Sequence, residues 1–138
     1  MMDYAGILIQ DLDGRMLFQL RDNNPNISHP NRWGLFGGGI NFKEEAIDAA
    51  IRELKEELDL DVKKDRLKLL IKIPELNKNS YLFTLKINKK KDKLHLKEGA
   101  FMDYFTIPQI IRKKNVLFSL RLLLIVYPLL FNLKRVKN

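Results

Sequence analysis

No cysteine occurs in the 138 residues, which excludes disulfides and thiolate metal sites. That is compatible with a reducing compartment, and a cytoplasmic location is expected. Long hydrophobic runs are also missing. The most apolar stretch, Leu122 to Leu130 with Pro128 inside it, is well short of the roughly 18–20 residues that cross a bilayer. Met1 to Gln10 contains Asp3 and has no basic start followed by a long apolar run, so no signal peptide is expected. There is no internal repeat and no linker, and a single domain over residues 1–138 is expected. Acidic residues are outnumbered, 17 against 25 basic, for a net charge of +8 and a pI of about 9.7. Such a surface favours anionic partners such as nucleotides, RNA or membrane phosphates, although solvated lysine also serves solubility.

What is present is a hydrophobic content of 46%, enough for a core, arranged as alternating short elements. Tyr4 to Gln10 reads as a buried strand, Asp11 to Gly14 as a turn and Arg15 to Arg21 as its hairpin partner. Asp22 to Asn31 is a polar loop with two prolines and four asparagines, whose tip Ser28-His29-Pro30 is placed to border a ligand. Leu67 to Ile73, Tyr81 to Ile87 and Phe101 to Phe105 read as strands, with the lysines from Lys89 to Lys93 as a solvated hairpin tip. Thr106-Ile107-Pro108 reads as a capped helix start, the helix running to Lys113. Leu117 to Leu133 carries Leu120, Leu123, Leu124, Tyr127 and Leu130 at helical spacing. A packed C-terminal helix is expected, kinked or stopped near Pro128 and ending in a frayed basic tail from Lys134. Its alternative is a helix lying on a membrane or across a dimer.

The chemistry lies between Gly38 and Leu60. Glu44 to Leu58 placed on a helix puts Ile47, Ile51, Leu54 and Leu58 on one core-facing stripe. Glu53, Glu56 and Glu57 fall together on another face. Like charges at i,i+3 and i,i+4 cost a few tenths of a kcal/mol per pair. A hard divalent cation turns that repulsion into a site, because Mg²⁺ prefers carboxylate oxygens. An ordinary Glu/Lys-rich surface helix would also carry these residues, but not the preceding Gly37-Gly38-Gly39 with Arg52 in register.

The stretch resembles the Nudix box, in which a glycine and a glutamate precede the run R-E-U-x-E-E-x-G-U, U being aliphatic. Gly38, Glu44, Arg52, Glu53, Leu54, Glu56, Glu57 and Leu60 fall on it, and Asp59 alone departs, standing where the family has glycine. Upstream, Trp33 and Gly37-Gly38 also match, with Phe36 in place of the usual proline. The resemblance implies an α/β (α+β) fold, a mixed sheet flanked by helices in an α/β/α sandwich. It implies a Mg²⁺- or Mn²⁺-dependent pyrophosphohydrolase acting on a nucleoside diphosphate linked to a further group. Gly37, Glu53, Glu56, Glu57 and Glu98 are the implied metal ligands, and Glu53 or Glu98 the implied base. Arg52 joins the catalytic set, with a salt bridge to Glu44 fixing the loop. Arg21 and Trp33 are the substrate-binding candidates, although Arg21 equally suits a plain surface position and Trp33 suits a core better than a base stack. Removal of pyrophosphate from RNA 5′ ends is an alternative, without an evident aromatic-and-basic platform. A silent ligand sensor is another, but no box glutamate is lost. DNA and membranes are not expected partners, and a homodimer is left open. Asp59 is expected to be a strained or slightly shifted helix exit, either left-handed like the family glycine or with ordinary helical angles, and not a lost catalytic group.

Overall fold

The computed structural model describes residues 2–137, with side chains described as far as residue 129. β1 (Tyr4–Gln10) is buried on both faces, as its unbroken apolar sequence requires. Ala5, Ile7 and Ile9 face one core, while Leu8 faces a second core on the other side. β1 pairs in parallel with β6 (Asn79–Lys86) along its whole length. Its opposite edge is shared. β4 (Phe36–Gly39) runs antiparallel to its first half, and β2 (Met16–Leu20) to its end. β3 (Trp33–Gly34) and β7 (Phe101–Phe105) extend β2, and β5 (Lys68–Pro74) closes the other edge against β6. The result is a seven-stranded mixed sheet.

α1 (Ala46–Leu58) covers the first core with Ala49, Ala50, Leu54 and Leu58. α2 (Ile107–Ile111) and α3 (Phe118–Lys137) cover the second with Ile110, Leu120, Leu123, Leu124 and Tyr127. This is the expected mixed sheet flanked by helices. α2 starts at the expected cap: the Thr106 hydroxyl accepts from the Gln109 N–H, and the Gln109 side chain accepts from the Thr106 N–H.

Several expectations are refined. α1 begins at Ala46 rather than Glu44, because the Glu44 carboxylate turns back to accept from the Asn41 N–H. The glutamate face of α1 is partly covered: Glu57 is buried and Glu56 is exposed, while Ala49 and Ala50 are fully buried in the first core. Lys89–Lys93 is not a hairpin tip, since β7 pairs with β2 and not with β6. That turn is pinned by Arg66, whose two terminal nitrogens reach the two Asp92 oxygens at 3.0 Å each. Of the two outcomes expected at Pro128, a stop is excluded, because α3 runs on through it while Leu124 and Tyr127 keep the preceding turn packed. The expectations for Leu130 and for the basic tail fall on residues whose side chains lie outside the described part.

Asp59 ends α1 with φ 54° and ψ 34°, the left-handed exit its place in the box suggested. Its N–H caps the last turn, and its carboxylate meets Lys55 at 3.0 Å on the exposed surface. An exposed pair of that kind contributes little. Glycine adopts this conformation without the side-chain penalty. Asp59→Gly is therefore expected to raise stability by up to about 1 kcal/mol, read as a higher melting temperature. A lower one would mean that the Lys55 pair outweighs the backbone relief.

Candidate active site

The site is built where β4 meets α1. Gly37 has φ 145° and lies opposite Gly6 of β1, so close that any side chain would run into the Ala5 carbonyl. Its N–H donates to Oε2 of Glu57 at 2.9 Å. Glu57 is only 4% exposed. Burial first, then the nearby charges of Glu53 and Glu98, pushes its carboxyl up to about 8, against the hydrogen bonds from Gly37 and Gln19. Next door, Gly38 leaves space that the Glu53 carboxylate occupies. Glu53 is also raised, by burial and by Glu56 and Glu98, while Arg52 pulls it down.

Arg52 holds this acidic group in place. Its Nε and one terminal nitrogen take both oxygens of Glu44 at 2.9 and 3.0 Å, and that terminal nitrogen also donates to the Gly39 carbonyl at 2.8 Å. The other terminal nitrogen meets Glu53 at 2.9 Å and Glu56 at 3.4 Å. The expected Arg52–Glu44 bridge is therefore present. On this geometry Arg52 positions Glu44, Glu53 and Glu56 around the glycine turn.

Glu98 reaches the site by a different route. The last carbonyls of α1 lack intrahelical partners. The Leu58 carbonyl accepts from the His95 N–H at 2.9 Å, and the Glu57 carbonyl from the Lys97 N–H at 2.8 Å. That ties an irregular segment to the helix end and sets Glu98 close enough to raise both Glu53 and Glu57.

Two cavities flank this ridge. One, of about 400 Å³, opens between the end of the β5–β6 hairpin and the first turns of α3. Its walls include Tyr4, Leu35, Leu120 and Leu123, with Gly37 and Gly38 among the lining residues and His29, Glu75 and Lys78 adding polar groups. The other, of about 390 Å³, is lined by Gln19, Asp22, Glu57, Lys97 and Glu98. Arg21 lines both, with its Nε donating to the Ser28 carbonyl at 2.8 Å. The loop tip thus borders a cavity through His29.

Trp33, expected as a substrate-binding residue, is corrected to core. It is 6% exposed, meets Phe105 edge-on with centroids 5.0 Å apart, and carries the Lys113 ammonium 5.4 Å from its ring centre. Two residues escaped the sequence reading. Gln19 is buried and donates to the Leu35 carbonyl at 3.0 Å while bonding Glu57. A lone glutamine in the apolar run of β2 was the available signal. Tyr4, whose phenol is pushed up by burial and by Glu57 and Glu53, had none.

The family model for the NUDIX domain matches residues 2–122. The chain belongs to the Nudix family. No curated protein matches it in sequence. Among solved structures, the fold is similar to a MutT Nudix hydrolase from Burkholderia pseudomallei, with TM-score 0.71 and 20% identity over 89% of this chain and 95% of that one. It is similar to a C. elegans Ap4A hydrolase, with TM-score 0.67 and 21% identity over 96% and 98%. A third is a bifunctional NMN adenylyltransferase/ADP ribose pyrophosphatase from Francisella tularensis, complexed with AMP and a manganese ion. It gives TM-score 0.68 and 16% identity, over 94% of this chain and 42% of that one.

In this Nudix box, no three His, Cys, Asp or Glu side chains among the described residues converge tightly enough to grip a cation as they stand. Arg52 instead engages Glu53 and Glu56. The donor chemistry nevertheless fits a hard divalent cation. It is all oxygen, and burial together with the neighbouring acidic charges raises the proton affinity of Glu53 and Glu57.

The raised Glu57 carboxyl has a consequence for stability in chelator. Its folded value of about 8 lies above the ordinary 4.5, so between those values the folded state holds a proton that the unfolded chain has released. Stability should therefore fall as pH rises through that window and level off above it. Glu57→Gln should flatten the decline, read by urea melts at both ends of the window. An equally steep decline in the variant would place the titration elsewhere.

Proposed function

We propose that the protein is a divalent-cation-dependent pyrophosphohydrolase acting on a nucleoside diphosphate linked to a further group. The observation that carries this reading is the gathering of Glu53, Glu56, Glu57 and Glu98 at a glycine turn between two cavities that share Arg21. The larger cavity has the size of a small-molecule site. With its apolar wall and polar rim it suits the nucleoside. The charged one suits the phosphate chain, with Arg21 between them as its counter-charge. The box chemistry supports a phosphoanhydride substrate without distinguishing among triphosphates, dinucleotides and nucleotide sugars.

Glu53, Glu56 and Glu57, with the Gly37 carbonyl and Glu98, would hold Mg²⁺ or Mn²⁺. When bound, the cation supplies charge neutralisation for the anhydride and a more acidic water. Water adds to one phosphorus, the P–O–P bond breaks, and the proton of the water passes to a carboxylate of the protein. Glu53 is already committed to Arg52. Glu98 is exposed and has no ion pair among the described residues, so it is the freer proton acceptor of the two candidates. Arg52 keeps Glu53 and Glu56 aimed at the glycine turn, and Arg21 orients the phosphates.

Phosphate release from a panel of nucleoside triphosphates, dinucleoside polyphosphates and nucleotide sugars tests the reading. Activity should vanish in EDTA and return with Mg²⁺ or Mn²⁺. Glu98→Gln should lower kcat by about a hundredfold or more with little change in KM, the scale of a lost general base. Hydrolysis that persists after exhaustive chelation would overturn the metal-dependent mechanism, and full kcat in Glu98→Gln would return the base to Glu53.

A further inference from the structure

We propose that the outer face of α3 docks on an anionic membrane surface. From Phe118 to Leu129, α3 carries apolar side chains on its solvent side as well as its core side, broken by Ser119 and Arg121. Only its inner face is covered, by Leu120, Leu123, Leu124 and Tyr127 in the second core. On the opposite side Phe118, Leu122, Ile125, Val126 and Leu129 form a stripe at helical spacing and remain 45% to 74% exposed. Ser119 and Arg121 border the stripe on its two sides, and the five stripe residues themselves are all apolar. A continuous bare apolar face of this kind marks an interaction surface.

Charge decides the occupant. After Asp103 the sequence contains no aspartate or glutamate, while it carries Arg112, Lys113, Lys114, Arg121, Lys134, Arg135 and Lys137. A second copy laid on the stripe would bring these cations together without an acid to meet them. An anionic bilayer offers both an apolar layer for the stripe and negative headgroups for the lysines and arginines. Among the described residues no helix is long and apolar enough to cross a membrane, so the contact lies in the interface plane. The sequence pattern alone argued against a membrane because the whole segment read as core packing, and the bare outer face removes that reason.

The test is flotation of the full chain with vesicles of phosphatidylcholine, with and without phosphatidylserine. The anionic vesicles should bind roughly tenfold more protein, and high salt should reverse this. Leu122→Gln with Ile125→Gln should abolish flotation without lowering the melting temperature, because both side chains are solvent-facing. Binding to neutral and anionic vesicles alike, or to neither, overturns the proposal. So does a dimer in light scattering that the double variant converts to monomer, which would give the stripe to a second copy.

Discussion

A single hydrogen bond, from the Gly37 N–H to the buried Glu57 carboxylate, sets the terms for the rest of the site. Burying a carboxylate is costly unless it is hydrogen-bonded or neutralised. Here the hydrogen bonds only partly compensate, and the residual cost shows in the raised proton affinity of Glu57. The bond also dictates backbone chemistry. It requires β4 to press against β1 at a positive-φ position that only glycine fills without strain. It requires α1 to approach β4 closely, which Ala49 and Ala50 allow.

From that anchor the two ends of α1 recruit the remaining groups. Near its start, Glu44 stays outside the helix, where it accepts from the Asn41 N–H and, with both oxygens, from Arg52. Arg52 then spends its remaining donors on Gly39, Glu53 and Glu56, so one guanidinium couples the glycine strand to the acidic cluster. At the other end, carbonyls that every helix leaves unsatisfied hold the backbone of His95 and Lys97, which brings Glu98 in from a segment far along the chain. Backbone geometry thus assembles the acids, while like-charge repulsion resists it. A bound cation would relieve that tension, and the all-oxygen donor set is of the kind a hard divalent ion takes.

Much of this was legible in residues with strong local preferences. The unbroken apolar run of β1, the Thr106 cap of α2 and a special helix exit at Asp59 were readable because local sequence alone decides them. The spacing from Gly38 to Glu57 was readable because a helix and a tight turn fix relative positions over short distances. The direction of Glu57 was not, because helical periodicity places a residue on a face without saying which neighbour covers it. Trp33 could suit a base or a core, and only its neighbours Phe105 and Lys113 decide. The Lys89–Lys93 turn misled because β7 leaves its neighbour in sequence to pair with β2, a choice made by long-range packing.

The central claim is that the box carboxylates bind a divalent cation through Glu57. Titration of Mn²⁺ followed by electron paramagnetic resonance measures this directly, since the free-ion signal falls as the ion is taken up. Wild-type protein should deplete the free signal, and Glu57→Gln should bind about tenfold or more weakly, the scale of a lost ligand contact. Equal uptake by the two proteins, or none by either, would contradict the account.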